Sequence, residues 1–540
     1  MADKLTNHSM TDVEHLAKRG ILLIIAVSFY IIQPKMKKIL LALSIISQIS
    51  FSQKLKIDTK TTYQTIHSFG ASDCWSMQIV GENYPVEKRE KIASLLFSKE
   101  LDKAGNPKGI GLSMWRFNIG AGSTEQGIDS KITNEWRRAE CFLENGKYNW
   151  NKQRGQQWFL EAAKRNGVDF TLGFLNSSPV SMTKNGLAIG SGKLGDWNFD
   201  KNKIDDFTGF LAEVSAKLKF DYISPFNEPQ WDWGPKSKSG FGSQEGTPIN
   251  NEDLAWAVRK LDTKMTERKL STKVVITDAA QIDYLYKSKS NRSEVGQDNQ
   301  IESFFSESSK NYVGNLNSVE KLICGHSYFT TSPSSELIGK RQELSAKIQQ
   351  QKINYWQSEY CILGNNAGEI EGGGQDLGMK TALYVAKVIH ADLTYANASA
   401  WHWWLSVSAN DYKDGLIYVA NNGIKGENDS NKFDAEIYDS KLLWAFGNFS
   451  RFIRPQMQRI KIETENKDLM VSAYKSAKEL VVVIVNPAQN QRIELPNLTK
   501  NQVIDTYTTS IDKNLAHSKI KGASIEVPAE AVVTLVVGLR

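Results

Sequence analysis

Between residues 66 and 452 the sequence repeats one pattern, a short apolar run typical of a β-strand followed by a longer amphipathic segment with helical periodicity. Eight strands are predicted, at 66–73, 111–118, 168–175, 222–226, 273–277, 321–325, 353–359 and 398–404. Helices are predicted at 86–97, 156–165, 204–218, 251–268, 335–350, 377–393 and 441–452. The pattern indicates an α/β fold, a (β/α)8 TIM barrel over 66–454 with enlarged loops. An open doubly wound sheet is the alternative, but no glycine-rich phosphate loop opens the first unit.

The pattern changes after Pro455. Short β-prone runs separated by turn residues follow, at 459–463, 469–474, 479–485, 491–495, 503–508 and 531–537, without a long helical period. We therefore expect residues 455–540 to form a smaller antiparallel β-sandwich. Residues 53–65 contain another strand-like run, which we expect to join this sandwich before the barrel begins.

The first 52 residues have the features of a targeting sequence. Lys37 and Lys38, an apolar stretch at 39–49 and small residues before Gln53 are typical of a secretory signal peptide that begins at Met36. Residues 1–35 would then be an N-terminal extension, and its apolar run at 21–32 is too short to cross a bilayer. We expect an exported protein (periplasmic, cell-surface or secreted) with no stable membrane span after cleavage. A single N-terminal membrane anchor is the alternative.

Charge and residue spacing argue against several partners. The chain has 66 Lys and Arg against 60 Asp and Glu, and the first 52 residues supply half of this excess, so we expect no nucleic-acid partner. The seven histidines lack metal-binding spacing, and we expect no metal and no cofactor. The four cysteines are expected to be buried thiols, with a Cys324–Cys361 disulfide as the alternative. We expect a monomer.

Two predicted barrel strands end near a glutamate. Asn227 and Glu228 follow the fourth strand, and Glu359 ends the seventh. Side chains at the carboxyl ends of barrel strands converge on one pocket. A salt bridge at the rim would explain either glutamate alone, but two carboxyl groups across one pocket are what glycosidic bond cleavage requires. One protonates the leaving oxygen, and the other attacks or stabilises the anomeric carbon.

An ordered set of motifs accompanies these strands. The segments are His67-Ser-Phe-Gly-Ala71 with Trp75, Trp115-Arg-Phe-Asn-Ile-Gly120, Asn176-Ser-Ser-Pro179 with Met182-Thr-Lys-Asn-Gly186, Pro225-Phe-Asn-Glu-Pro229, His326-Ser-Tyr328, Trp356-Gln-Ser-Glu359 and Trp401-His-Trp-Trp404. Their combination resembles glycoside hydrolase family 30 over the whole barrel and the C-terminal sandwich. The resemblance implies Glu228 as the acid/base and Glu359 as the nucleophile of a retaining enzyme, with carboxyl groups about 5–5.5 Å apart.

The same resemblance implies four supporting residues. Asn227 would hydrogen-bond the sugar 2-hydroxyl, and Arg116 would keep the nucleophile ionised, as a neighbouring cation does. His326 and Tyr328 would orient the catalytic carboxylates. A structural ion pair for Arg116 and a buried core position for His326 are the alternatives.

Aromatic residues near the strand ends are candidates for stacking against sugar rings. They are Trp75, Trp231, Trp233, Tyr284 and Trp403. Side chains alternate along a strand, so either Trp401 and Trp403 or His402 and Trp404 face the barrel centre, and we favour Trp401 and Trp403.

Substrate preference is less constrained. The 136–142 segment and the long loop after Glu228 resemble the branch that acts on β-1,6-galactan, whereas no Trp precedes Met182 as it does in many relatives. We expect an exported polysaccharide hydrolase, an endo-β-1,6-galactanase. Xylanase and β-glucanase activity, transglycosylation, and a catalytically silent carbohydrate-binding protein are the alternatives.

Overall fold

The structure, a computed structural model, describes residues 53–539 except 236–238, 290, 497 and 500. The predicted signal peptide lies outside the described residues. The predicted eight-stranded parallel barrel is confirmed. Barrel strands 1 to 8 are Ser68–Ser72, Met114–Asn118, Phe170–Phe174, Tyr222–Ser224, Lys273–Ala279, Val319–His326, Asn354–Glu359 and Ala400–Ser408.

The barrel closes because strand 8 pairs with both strand 7 and strand 1. Ala400 is opposite Trp356 on one side and opposite Ser68 on the other. Rings from the amino-terminal ends of the strands fill that end of the barrel. The His67 ring stacks on Phe170 with centroids 4.1 Å apart and lies 4.5 Å from the Trp356 ring. Such a packed interior leaves the opposite, carboxyl-terminal end as the place for a site.

Helices connect the strands on the outside of the barrel. The longer ones are Ser76–Asn83, Val86–Phe97, Arg154–Arg165, Ile204–Leu218, Asn251–Glu267, Ser334–Gln351, Met379–Thr394 and Lys441–Ser450. Among its described residues, the connection between strands 5 and 6 contains only the short helices Asp283–Tyr286, Asn291–Glu294 and Gln300–Phe305, none of which the sequence pattern predicted. They are too short to show a clear helical period.

Strand 8 extends four residues beyond its predicted end. Its outer half pairs in parallel with Gly415–Ala420, which pairs in turn with Glu436–Asp439. These two strands were not predicted. They carry the segment after strand 8 around one side of the barrel mouth, where Asp414 lies.

The predicted antiparallel domain is also confirmed, as a nine-stranded sheet with its own hydrophobic core. The first described strand, Gln53–Thr65, pairs antiparallel with Gln458–Thr464, with Ile57 opposite Ile462. The other members are Met470–Lys475, Glu479–Asn486, Gln491–Glu494, Val503–Ser510, Lys513–Lys521, Ser524–Val527 and Ala531–Gly538. The strand Lys513–Lys521 was missed because most of its side chains are polar and at least partly exposed.

Helix Lys441–Ser450 packs between the barrel and this sheet. Asn448 Nδ2 donates hydrogen bonds to the Tyr507 carbonyl and to Thr534 Oγ1, both at 3.0 Å. The four cysteines are buried free thiols, so Cys324 and Cys361 are not bonded to each other. Within the described ranges, no helix is both long and apolar enough to span a membrane.

Candidate active site

Glu228 and Glu359 face each other at the carboxyl-terminal end of the barrel. Glu359 is the last residue of strand 7, and Glu228 lies four residues beyond strand 4. One carboxyl oxygen of each lies within 4.8 Å of the other. Glu228 is 6% exposed and Glu359 is 3% exposed. Two acidic groups this close and this buried depend on their neighbours for their protonation states.

The backbone at Glu228 has a left-handed conformation, with φ of 48°. Its N–H donates to the Asp278 carbonyl at 2.8 Å, and its carbonyl accepts from Trp233 Nε1 at 3.0 Å. A non-glycine residue in this region costs roughly 1–2 kcal/mol, which the surrounding contacts must offset. The contacts therefore fix the turn that places the Glu228 side chain in the cleft.

Glu359 is held by two donors. Arg116 Nη1 lies 2.8 Å from Glu359 Oε2, and the Tyr328 hydroxyl donates to Oε1 at 3.0 Å. A guanidinium–carboxylate contact inside a protein is a charge-assisted hydrogen bond and is stronger than a neutral one. Both carboxyl oxygens of Glu359 therefore have a fixed position relative to the cleft.

Glu228 has a different environment. Burial raises the pKa of Glu228 to about 7, although the hydrogen bond from His326 opposes this shift. His326 Nδ1 donates to Glu228 Oε1 at 2.8 Å. Burial alone would lower the pKa of His326, but the surrounding carboxylates, with Glu359 contributing most, raise it to about 9. Near neutral pH, Glu228 therefore keeps a substantial protonated fraction beside a cationic imidazole.

Asp278, on strand 5, is a site residue that the sequence analysis missed. Its Oδ2 lies 3.6 Å from Arg116 Nη2 and accepts a hydrogen bond from the Ser224 hydroxyl, and its Oδ1 lies 3.7 Å from His326 Nε2. Burial alone would raise the pKa of Asp278, but the Arg116 charge and His326 hold it well below its usual range. The signal was present, because an acidic residue near the end of an apolar strand had identified the two glutamates.

Asn227 and Arg116 complete the buried network. Arg116 Nη2 donates to Asn227 Oδ1 at 3.2 Å, and Asn227 Nδ2 donates to Asn176 Oδ1 at 3.0 Å. The Arg116 guanidinium also lies 3.9 Å from the centre of the Phe174 ring. Barrel strand 2 thus supplies one cation that touches Glu359, Asn227 and Asp278 at once.

A cleft of about 790 Å³ opens above these groups. Its aromatic lining residues are Trp75, Trp231, Trp233, Tyr328, Phe329, Trp404 and Tyr412. Three of the five predicted stacking residues, Trp75, Trp231 and Trp233, therefore lie in its wall. An aromatic-lined open cleft suits binding of an extended saccharide chain.

The structure corrects two predicted stacking residues. Trp403 is fully buried and its Nε1 donates to the Asp414 carbonyl at 2.7 Å, so its ring is not available to a sugar. Tyr284 is also buried, with its ring edge-to-face against Trp231 at 6.4 Å, and does not line the cleft. Tyr284 therefore packs against Trp231 instead of contacting a sugar.

The preferred orientation of strand 8 was also wrong. Trp401 points outward, where its Nε1 donates to Asp392 on helix Met379–Thr394 at 2.9 Å. His402 points inward, with its Nε2 3.2 Å from the Ser68 hydroxyl. Trp404 shares that inward face and lines the cleft. The buried polar partners available on the helical side decided the orientation, and the strand sequence does not reveal them.

Phe329 is a further cleft residue that was missed. It is 51% exposed, which is unusual for a phenylalanine, and its backbone φ is 57°. It follows Tyr328 directly, so the end of strand 6 supplies both a contact to Glu359 and an exposed ring at the rim.

Glu228, His326 and Glu359 are close enough to share a metal ion, and no other such group occurs among the described residues. Two features oppose this use. Arg116 already pairs with Glu359, and the raised pKa of His326 favours a protonated ring, which cannot be a ligand. The arrangement suits proton transfer better than metal binding.

Comparisons with known proteins agree with this geometry. The sequence profile described as "O-Glycosyl hydrolase family 30" matches residues 52–418. The endo-β-1,6-galactanase of Hypocrea rufa is 23% identical over 468 residues, which cover 82% of this chain and 84% of that protein.

Solved structures are similar over most of the chain. A conserved exported protein from Bacteroides fragilis superposes with a TM-score of 0.82 at 36% identity, covering 89% of this chain and 99% of that one. The catalytic domain of the family 30 xylanase C from Talaromyces cellulolyticus has a TM-score of 0.62 at 21% identity, covering 90% and 99%. The chain therefore belongs to O-glycosyl hydrolase family 30 and is a glycoside hydrolase.

Proposed function

We propose that the enzyme cleaves β-glycosidic bonds with retention of configuration, using Glu359 as the nucleophile and Glu228 as the acid/base. The observation that carries this proposal is the approach of the two carboxyl groups to within 4.8 Å. Retaining enzymes have carboxyl groups about 5–5.5 Å apart, whereas inverting enzymes need about 6.5–9.5 Å to admit a water molecule.

The reaction proceeds in two steps. In the first, Glu359 attacks the anomeric carbon while protonated Glu228 gives its proton to the glycosidic oxygen, so the C–O bond breaks and a glycosyl ester forms on Glu359. In the second, Glu228 takes a proton from water, the water oxygen attacks the anomeric carbon, and Glu359 departs as carboxylate. Glu228 ends in its starting state.

The neighbouring residues support these steps. Arg116 and Tyr328 hold the two Glu359 oxygens, so one can attack while the geometry of the group is kept. His326 stabilises the Glu228 carboxylate that forms after the proton leaves, because it donates a hydrogen bond and carries a positive charge. We assign to Asn227, whose Oδ1 accepts a hydrogen bond from Arg116, a hydrogen bond to the ring hydroxyl next to the anomeric carbon, as the family resemblance implies.

For the substrate, we propose a β-1,6-galactan cleaved within the chain. Two features support this: similarity to a fungal endo-β-1,6-galactanase over 82% of the chain, and an open cleft in place of a closed pocket. Xylan and β-glucan remain the alternatives.

The decisive experiment has two parts. Purified enzyme is incubated with β-1,6-galactan, xylan and β-1,6-glucan, and the anomeric configuration of the first products is followed by proton NMR. We expect β-configured products from galactan that mutarotate later. Initial α-products would contradict retention, and binding without turnover by the wild type would indicate a carbohydrate-binding protein.

We further propose that residues 1–52 contain a signal peptide starting at Met36, and that the exported protein begins near Gln53. The similarity to an exported protein of Bacteroides fragilis at 36% identity supports export. N-terminal sequencing of the protein recovered outside the cytoplasm tests this, and an intact Met36–Ser52 segment there would contradict it. We propose domain boundaries at 66–454 and 455–540 and a monomeric state, which size-exclusion chromatography with light scattering tests.

A further inference from the structure

The loop after strand 4 holds Glu228 by its backbone. The Glu228 carbonyl accepts hydrogen bonds from the Trp233 indole Nε1 at 3.0 Å and from the Trp231 N–H at 3.2 Å. The backbone at Trp233 is left-handed, with φ of 46°, as it is at Glu228. This conformation is unfavourable for a residue with a side chain, so a turn that contains two such residues needs contacts that hold it. The indole N–H supplies one of them.

The Trp233 ring packs against a glycine. A Cβ atom at Gly246 would lie 2.2 Å from Cγ of Trp233, which is closer than non-bonded atoms approach. The Trp233 carbonyl accepts a hydrogen bond from the Gly190 N–H at 2.9 Å, and the Gly246 N–H donates to the Ala188 carbonyl at 2.9 Å. The position of the indole therefore depends on the segment that contains Gly246.

Glu245 fixes that segment to the loop after strand 2. The residue is 1% exposed. Its Oε2 accepts a hydrogen bond from the Ala121 N–H at 3.0 Å, and its Oε1 accepts from the N–H and the hydroxyl of Ser123 at 3.2 and 2.6 Å. Hydrogen bonds to a carboxylate are stronger than those between neutral groups. Glu245 therefore links the loops after strands 2 and 4 firmly.

Thr247 adds a third loop. Its N–H donates to the Asn176 carbonyl at 3.0 Å, and its hydroxyl accepts from the Ser178 N–H at 3.1 Å. Both partners belong to the loop after strand 3. The three residues 245–247, which we call the 245–247 segment, thus join the loops after strands 2, 3 and 4.

We propose that Trp233 is a positioning residue for Glu228, and that the 245–247 segment holds Trp233 in that role. The proposal rests on the assignment of Glu228 as the acid/base. A proton donor must come within hydrogen-bond reach of the glycosidic oxygen, and a small displacement is costly. Release of the Glu228 carbonyl would let the turn relax and move the carboxyl group away from that oxygen. This role differs from the stacking role that the sequence suggested for Trp233.

The experiment measures how kcat/KM depends on the leaving group. The substrates are aryl glycosides of the sugar that the wild type cleaves fastest, with phenols of graded acidity. A well-placed acid makes kcat/KM nearly independent of the phenol, whereas a displaced acid slows the cleavage of poor leaving groups. Trp233→Phe keeps an aromatic ring but removes the N–H. We expect kcat/KM to fall about 10-fold with unactivated phenols and little with dinitrophenol.

Two variants of the 245–247 segment should give the same pattern. Gly246→Ala adds a methyl group where the indole lies, and Glu245→Gln replaces one acceptor oxygen with an amide group that faces N–H and O–H donors. Each should lower kcat/KM with unactivated phenols more than with dinitrophenol.

Each kind of change has a matched control. Trp256→Phe, on helix Asn251–Glu267, repeats the tryptophan change away from the cleft. Gly209→Ala, on helix Ile204–Leu218, places a Cβ that meets no described atom within 4 Å outside the backbone of its own helix. Both should keep wild-type kcat/KM with every phenol. Thermal denaturation shows whether each variant is folded, and Trp233→Phe decides alone if a variant of the 245–247 segment does not fold.

Two results would overturn the positioning role. Wild-type values in Trp233→Phe would show that the N–H is not needed, and an equal loss with every phenol would show that the ring contacts the sugar instead. Wild-type values in both variants of the 245–247 segment would remove that segment from the proposal. Glu228→Ala is measured in the same series. If its kcat/KM does not depend steeply on the phenol, the acid/base assignment itself fails.

Discussion

His326 Nδ1 lies 2.8 Å from Glu228 Oε1, so the proposed proton donor shares a hydrogen bond with a cationic histidine. This contact lowers the pKa of Glu228, against the burial that raises it to about 7. Burial thus keeps the acid weak enough to hold its proton near neutral pH, and the histidine keeps it strong enough to release that proton.

The first prediction concerns pH. Glu228 must be protonated for the first step, so kcat/KM should be retained below pH 7 and fall as pH rises through about 7. His326→Gln removes the charge that lowers the pKa of Glu228, so the alkaline limb should move to higher pH while kcat falls. A pH profile of kcat/KM for both proteins checks this. An unchanged or acid-shifted limb in the variant would be the contrary result.

The second prediction separates the roles of the two glutamates. Glu228→Ala should reduce hydrolysis of polysaccharide by roughly 100-fold or more but spare dinitrophenyl glycosides, whose leaving groups need no proton. Initial rates on both substrate kinds measure this difference. Equal losses on both would assign a different role to Glu228.

The third prediction concerns the nucleophile. Glu359→Ala should lose essentially all turnover, and azide should restore part of the activity on activated substrates by occupying the space of the missing carboxylate. The restored product should be a glycosyl azide of inverted configuration, identified by NMR. Recovery of a retained azide product would point to Glu228 as the nucleophile.

The fourth prediction concerns Asp278, the carboxylate between Arg116 and His326. Asp278→Asn removes the negative charge that supports both cations, so the pKa of His326 should fall and kcat should drop by roughly 10- to 100-fold with a smaller change in KM. Steady-state kinetics and thermal denaturation measure these effects. Asp169→Asn, at a half-buried pair with Arg454, is the control and should alter stability without altering kcat.

The fifth prediction tests the metal alternative. Glu228, His326 and Glu359 lie close enough to bind a cation, but Arg116 already pairs with Glu359. Dialysis against EDTA should therefore leave kcat unchanged, and added divalent ions should not raise it. Loss of activity on chelation, reversed by one metal, would replace the proton-transfer mechanism.

The barrel was predictable because the apolar residues of each strand and of the helix that follows it have a spacing typical of that element. Seven of the longer helices and all eight barrel strands lie at or near their predicted positions. Glu228 and Glu359 were predictable because an acidic group is out of place at an apolar strand end. Strand 5 was predicted to end at Thr277, one residue before Asp278, so the same signal was overlooked there.

Other features depend on contacts between distant segments. The alternation of side chains along a strand shows that Trp403 and Trp404 face opposite ways, but it does not show which of them faces inward. The hydrogen bonds from Trp401 to Asp392 and from Trp403 to the Asp414 carbonyl decide the orientation. Arg137, Asn410 and Glu427 come together only because the unpredicted strands after strand 8 bring their loop to the barrel mouth. Neither the orientation of strand 8 nor these contacts can be recognised from the residues of any one sequence segment.

The strand Gln53–Thr65 lies in the same sheet as the last strands of the chain. During synthesis, this strand must wait for a partner made about four hundred residues later, and it exposes an unpaired edge until then. A gene fragment that ends after the barrel would leave this edge permanently open and favour aggregation. The strand Gln53–Thr65 and the strands after residue 457 thus form a single folding unit, and the sheet is complete only after its last strand, Ala531–Gly538, has been made.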